Sequence, residues 1–182
     1  MKAKTSLIAL SMAVSFSAAA ADFKLTSTDI ANGKKMGAQQ VFEGFGCSGG
    51  NVSPQLSWQG APAGTKSFAI TAYDPDAPTG SGWWHWTVVN LPVSTMSLPT
   101  GAGSAGGALP AGAVQGRTDY GQAGFGGACP PVGDKPHRYQ FTVWALKVDK
   151  LDVNDQSSGA LVGYMLKANA LATAKLTALY GR

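Results

Sequence analysis

Residues 67–92 read "SFAITAYDPDAPTGSGWWHWTVVNLP". The run opens as a strand with Phe68, Ile70 and Ala72 on one face, and the period of two carries Asp74 onto that face at the strand's end. A turn rich in Pro, Gly and Asp follows. Then comes "WWHWTVVNLP", a second apolar strand closed by Pro92. In it, alternation groups His85 with Trp83, Thr87 and Val89 and sends Trp84 and Trp86 to the opposite face. Asp74–Trp86 also concentrates two acids, one of the two histidines of the chain and three of its five tryptophans. Either this is an ornate turn between paired strands or it is half of a ligand site.

Working outward, "FKLTSTDI" alternates well enough for a first strand, and residues 36–78 read as strand, loop, strand, turn, strand, with "APAG" as the turn. Residues 99–136 are a long irregular stretch of Gly, Ala and Pro, the kind of loop that is usually functional or disordered. "HRYQFTVWALKV" alternates strongly, with His137, Tyr139, Phe141 and Val143 on one side. The spacing predicts a helix over 157–174, "SSGALVGYMLKANALATA", capped by Ser157 or Ser158 and apolar along Leu161, Tyr164, Met165, Ala168 and Leu171. A last strand, "KLTALY", follows. The predicted fold is mostly β: an antiparallel β-sandwich with a C-terminal helix and few short helices, in a single domain over 22–182.

Only 13% of the 182 residues are charged, and Gly (24) and Pro (10) are abundant, as a loop-rich β protein requires. The first 21 residues carry Lys2 and Lys4, an apolar run from Leu7 to Phe16 and a small-residue end at Ala19–Ala21, the tripartite form of a cleaved secretory signal. The apolar run is shorter than the roughly 20 residues a membrane span needs, so no stable membrane insertion is expected. Cleavage removes two of 14 basic residues and none of the 10 acidic ones, lowering the net charge from +4 to +2. No basic stripe remains to attract nucleic acid. The destination is periplasmic or secreted, and there the even pair Cys47 and Cys129 invites a disulfide, the alternative being two separate buried thiols. Low charge leaves room for a homodimer.

Both histidines begin apolar strands just after Pro/Gly-rich loops that contain an Asp. If those strand ends are neighbours, Asp74, His85 and His137 converge at one end of the sandwich, walled by Trp83 and Tyr139. Two imidazoles beside a carboxylate suit a small anion, bound more tightly as pH falls and the rings protonate. Metal binding is disfavoured, because no HxH or HxxxH spacing supplies further ligands. Acyl hydrolysis is disfavoured too: "GSG" at 80–82 precedes a strand, whereas a nucleophile elbow precedes a helix. A His-dependent hydrolase or lyase is the rival reading. The GxG fragment at Gly101 and Gly103 opens no helix and implies no nucleotide cofactor.

Four stretches resemble the phosphatidylethanolamine-binding protein family, also called Raf-kinase-inhibitor-like proteins, in its secreted bacterial branch: "NVSPQLSW" (51–58), "YDPDAPTGSGWWHWTVVNLP" (73–92), "GGACPPVGDKPHRYQFTVWAL" (126–146) and the C-terminal helix–strand. The resemblance implies a β-sandwich with an anion pocket at one end, formed by Asp74, Trp83, His85, Pro131, His137 and Tyr139, with Asp76 and Pro78 in support. It implies a phosphate-like anion or phospholipid head group as ligand, no cofactor, no catalysis, and regulation of an unidentified protein partner. One departure is Trp84, where eukaryotic relatives often carry a second histidine; a polar neighbour of the pocket is expected to be lost there.

Overall fold

The computed structural model describes residues 22–182; the expected leader, 1–21, lies outside them. In chain order the strands are β1 (Lys24–Thr26), β2 (Glu43–Gly44), β3 (Cys47–Ser48), β4 (Leu56–Gln59), β5 (Ser67–Asp74), β6 (Trp83–Pro92), β7 (Ser97–Leu98), β8 (Val114–Gln115), β9 (His137–Leu146) and β10 (Ala170–Tyr180). Among the described residues one α-helix, α1 (Gly159–Asn169), is present, and it runs directly into β10. Five strands form an antiparallel sheet in the order β10-β9-β5-β6-β8; β1, β4 and β7 form a second, and β2–β3 a small hairpin.

The large sheet is covered on both faces. Phe68, Ile70, Val88, Phe141 and Val143 pack against Leu25, Leu56, Trp58 and Leu98 of the three-stranded sheet and form the main core. On the other face Ala69, Val89 and Leu146 pack against Val162 and Leu166 of α1 and against Leu151. This explains why β5 is buried at nearly every position instead of alternating. The antiparallel β-sandwich with its late helix is the architecture expected from the sequence.

Three local expectations are corrected. The helix stops at Asn169, and Ala170–Ala174, expected as its last turns, are strand paired to β9. Alanine favours helix by only a few tenths of a kcal/mol per residue, whereas the open edge of β9 offers a full backbone ladder to residues 170–180. The helix also turns a different face inward. Gly159, Val162, Gly163 and Leu166 are buried, while Leu161 and Tyr164 face solvent. Finally, where a strand was expected to open the 36–78 stretch, there is a 3-10 turn over Ala38–Gln40, followed by the β2–β3 hairpin.

Candidate functional site

Topology brings the site together. β5 is the central strand, and both its neighbours run antiparallel to it. The C-terminal end of β5 therefore lies beside the N-terminal ends of β6 and β9, which places Asp74, Trp83 and His137 at one edge of the sheet. His85 reaches the same place by an irregularity. The register steps from Ala72↔Trp86 to Tyr73↔Trp84, so His85 is an extra residue in β6, a β-bulge. Beyond the bulge the faces exchange. His85 and Trp86 both lie on the side of the main core, and Val89 lies on the helix side. The expected grouping of His85 with Thr87 and Val89, and of Trp86 with Trp84, is corrected accordingly.

A cavity of about 160 Å³ opens here, and all six residues expected to form the pocket line it, together with Pro78. Asp74 organises its floor. One carboxylate oxygen accepts the Asp76 amide at 2.8 Å, and the other accepts from His137 Nδ1 at 2.7 Å. His137 Nε2 stands 3.4 Å from Asp134 Oδ2, so that ring is bracketed by two carboxylates. Asp76 turns outward and takes no part in the lining. Its carboxylate accepts from the Arg138 amide at 2.9 Å and from the guanidinium Nη2 at 2.7 Å, which ties the DPDAP turn to the start of β9. That guanidinium holds the Asp76 carboxyl below its usual range. Gly82 closes the turn at φ +69°, where a Cβ would lie 2.6 Å from the Asp74 carbonyl oxygen.

His85 is held differently. Its Nδ1 is 2.8 Å from the Gly126 carbonyl oxygen and 3.1 Å from that of Gly127. A carbonyl only accepts, so Nδ1 carries a proton, and in the neutral ring the remaining nitrogen, Nε2, holds a lone pair. Burial lowers the pKa of His85, so the ring is neutral near pH 7. The expectation of two protonated imidazoles is corrected at this residue: the ring offers an acceptor.

The donors come from elsewhere. Trp83 Nε1 is buried without a hydrogen-bond partner, and the Tyr139 hydroxyl, faced by the Cys129 backbone amide, has no acceptor for its own proton; both residues line the cavity. Burial raises the Tyr139 phenol well above its ordinary pKa, with the Asp74 charge acting in the same direction, so it remains an O–H donor. An unpartnered buried donor costs about 1–3 kcal/mol, and the cavity walls carry two.

Several wall residues were not legible in the sequence. Tyr120, from the long Gly-rich loop, stacks on Phe42 at 3.9 Å, meets His85 edge-on at 5.5 Å and donates its hydroxyl to the Gly127 carbonyl. Phe45, at the tip of the β2–β3 hairpin, forms part of the rim. The Cys47–Cys129 disulfide pins that hairpin to the wall, with Cys129 itself lining the cavity. Arg182 adds a clasp by donating to the carbonyls of Pro130 and Gly46. Asn51, the first residue of the "NVSPQLSW" stretch, accepts the Gly127 amide at 2.7 Å and so braces the segment that holds His85. Trp84 is not a pocket position at all: its ring faces α1 on the opposite side of the sheet. Its presence in place of a histidine therefore takes nothing from the pocket.

A sheet sandwich with a small, mostly apolar cavity holding a few polar groups at one end, fed by the ends of β5, β6 and β9, is the arrangement of a known class. The family model described as "Phosphatidylethanolamine-binding protein" matches residues 26–181, and the chain belongs to that family. Among its relatives, UPF0098 protein YbcL of Escherichia coli is 62% identical over 97% of this chain and 98% of its own length. UPF0098 protein YbhB of the same organism is 53% identical over 86% of this chain and 99% of its own. The crystal structure of E. coli YbcL, described as a new member of the mammalian PEBP family, superposes with a TM-score of 0.87, covering 89% of this chain and 99% of that one.

Proposed function

We propose that this protein is an exported binding protein whose cavity takes a small phosphate-like anion or a phosphorylated head group, in its singly protonated form. The observation that carries the reading is the pair of buried, unpartnered donors, Trp83 Nε1 and Tyr139 Oη, in the wall of one small cavity. Two phosphoryl oxygens would accept from them. A third, still protonated, would donate to Nε2 of the neutral His85, so ligand and pocket match proton for proton. Apolar surface surrounds the mouth: Phe45 is 71% exposed, and Val132, next to the lining residue Pro131, is 77% exposed. A protein partner regulated by pocket occupancy would cover that rim. The disulfide supports an oxidising, periplasmic or extracellular destination.

The hydrolase reading has less support. Cys129 is spent in the disulfide, the Thr79 hydroxyl donates to the Gly82 carbonyl, and burial pushes both tyrosine phenols up. A thiol or hydroxyl nucleophile would have to come from outside the cavity wall. Calorimetric titration with phosphoethanolamine tests the proposal. Saturable binding that is lost in Trp83→Phe and His85→Ala is expected; unchanged binding in both variants would reject it.

A further inference from the structure

On the face of the large sheet opposite the main core, α1 covers only part of the surface. Beside it runs an open groove of about 500 Å³. Its walls are aromatic: Tyr73, Trp84, Trp144 and Tyr164. The sequence explains why it exists. Gly159 and Gly163 let the helix lie directly on the Trp84 ring, and a Cβ at Gly159 would come within 2.2 Å of that ring. Trp84 is thereby fixed between the helix and Tyr73, whose ring centroid is 4.7 Å away. The Trp144 indole N–H is bonded to Thr71 Oγ1 at 3.0 Å, which leaves its carbon rim to line the trough. Tyr164 stands 70% exposed, and Leu161 and Leu171 are exposed nearby in sequence. Charge in the groove has one sign. Lys167 and Lys175 line it, and no Asp or Glu does. Lys175 is held in place by its bond to Gln140 Oε1 at 2.8 Å.

From an apolar aromatic trough carrying only positive charge, we infer that the groove binds a small amphiphilic acid: an apolar tail or ring laid along Trp84, Trp144 and Tyr164, with its acid group at Lys167 and Lys175. The site is separate from the anion cavity, and its ligand differs because its donors are exposed ammonium groups on an apolar floor. Fatty acids and aryl acids share this chemistry, and the probes separate them.

The test titrates dodecanoate and 1-anilinonaphthalene-8-sulfonate against the full chain at low salt, followed by calorimetry and tryptophan fluorescence. Binding of either probe is expected, weakened about tenfold by the double variant Lys167→Glu/Lys175→Glu and by Tyr164→Ser, and unchanged in His85→Ala. The stronger probe identifies the tail as aliphatic or aromatic. Both variants alter exposed side chains, and an unchanged melting temperature shows that they fold. Equal binding of uncharged dodecyl maltoside, or indifference to the charge reversal, would overturn the inference. A dimer in sedimentation equilibrium that Tyr164→Ser dissociates would overturn it in favour of contact with a second copy, and absence of binding by either probe would also reject it.

Discussion

Replacing Tyr139 by Phe removes one oxygen and should move stability and binding in opposite directions. Tyr139 is almost wholly buried, and its hydroxyl, though faced by the Cys129 backbone amide, has no acceptor for its proton. A buried polar group left unpaired costs about 1–3 kcal/mol, whereas an apolar group of the same shape costs nothing comparable. The ring contacts with His85, centroids 5.1 Å apart, survive the change. The ligand-free variant should therefore gain about 1 kcal/mol, raising the melting temperature by about 2–4 °C for a domain of this size. Binding should suffer, because a hydrogen bond to a charged group is worth about 1.5–3 kcal/mol. Losing about 1.5 kcal/mol weakens affinity by about tenfold. Differential scanning calorimetry in phosphate-free buffer and titration with phosphoethanolamine measure both quantities. A destabilised variant with unchanged affinity would refute the reasoning, since the hydroxyl would then be serving the fold and not a ligand.

Affinity for phosphoethanolamine should fall about 25-fold between pH 5.5 and 7.5, as the phosphomonoester, whose second pKa is about 6, loses the proton it offers to His85. Binding the dianion would instead require protonating His85, whose lowered pKa gives the same sign; affinity rising with pH in calorimetry would contradict both routes. Replacing Cys47 and Cys129 together by Ser opens a loop of sequence separation 82. On the chain-entropy account this costs about 4.5 kcal/mol in urea unfolding, and a loss below about 1 kcal/mol would show that the bridge is not constraining the unfolded chain. Asp76→Asn should weaken anion binding by loosening the tie to Arg138. Because the Asp76 pKa is lowered in the fold, its stability cost is present above about pH 4, the ordinary carboxylate value, and vanishes as pH falls through the folded-state value. A stability difference that persists at pH 2 would assign the loss to another cause.

The long-range outline of the site was legible because it rests on strand ends. Asp74 closes one apolar run and His137 opens another, so antiparallel pairing alone brings them to within hydrogen-bonding distance. The bulge was not legible. Nothing in "WWHWTVV" marks His85 as an extra residue, and strict alternation misassigned everything beyond it. The junction at Asn169 and Ala170 failed for a related reason. An alanine-rich sequence leans toward helix, but only weakly, and the vacant edge of β9 overrode that preference. Tyr120 and Phe45 sit in loops without periodicity, where side-chain direction depends on contacts with distant residues such as Phe42 and on the disulfide.

Three consecutive residues at the start of β6 serve two surfaces: Trp83 and His85 look into the cavity, and Trp84 looks out toward the helix. Spacing therefore matters here more than chemistry. A substitution at any one of the three is a local injury, whereas inserting or deleting a single residue between Gly82 and Trp86 would rotate the whole set by one step. An indole would then stand where the imidazole belongs, and both surfaces would fail at a stroke.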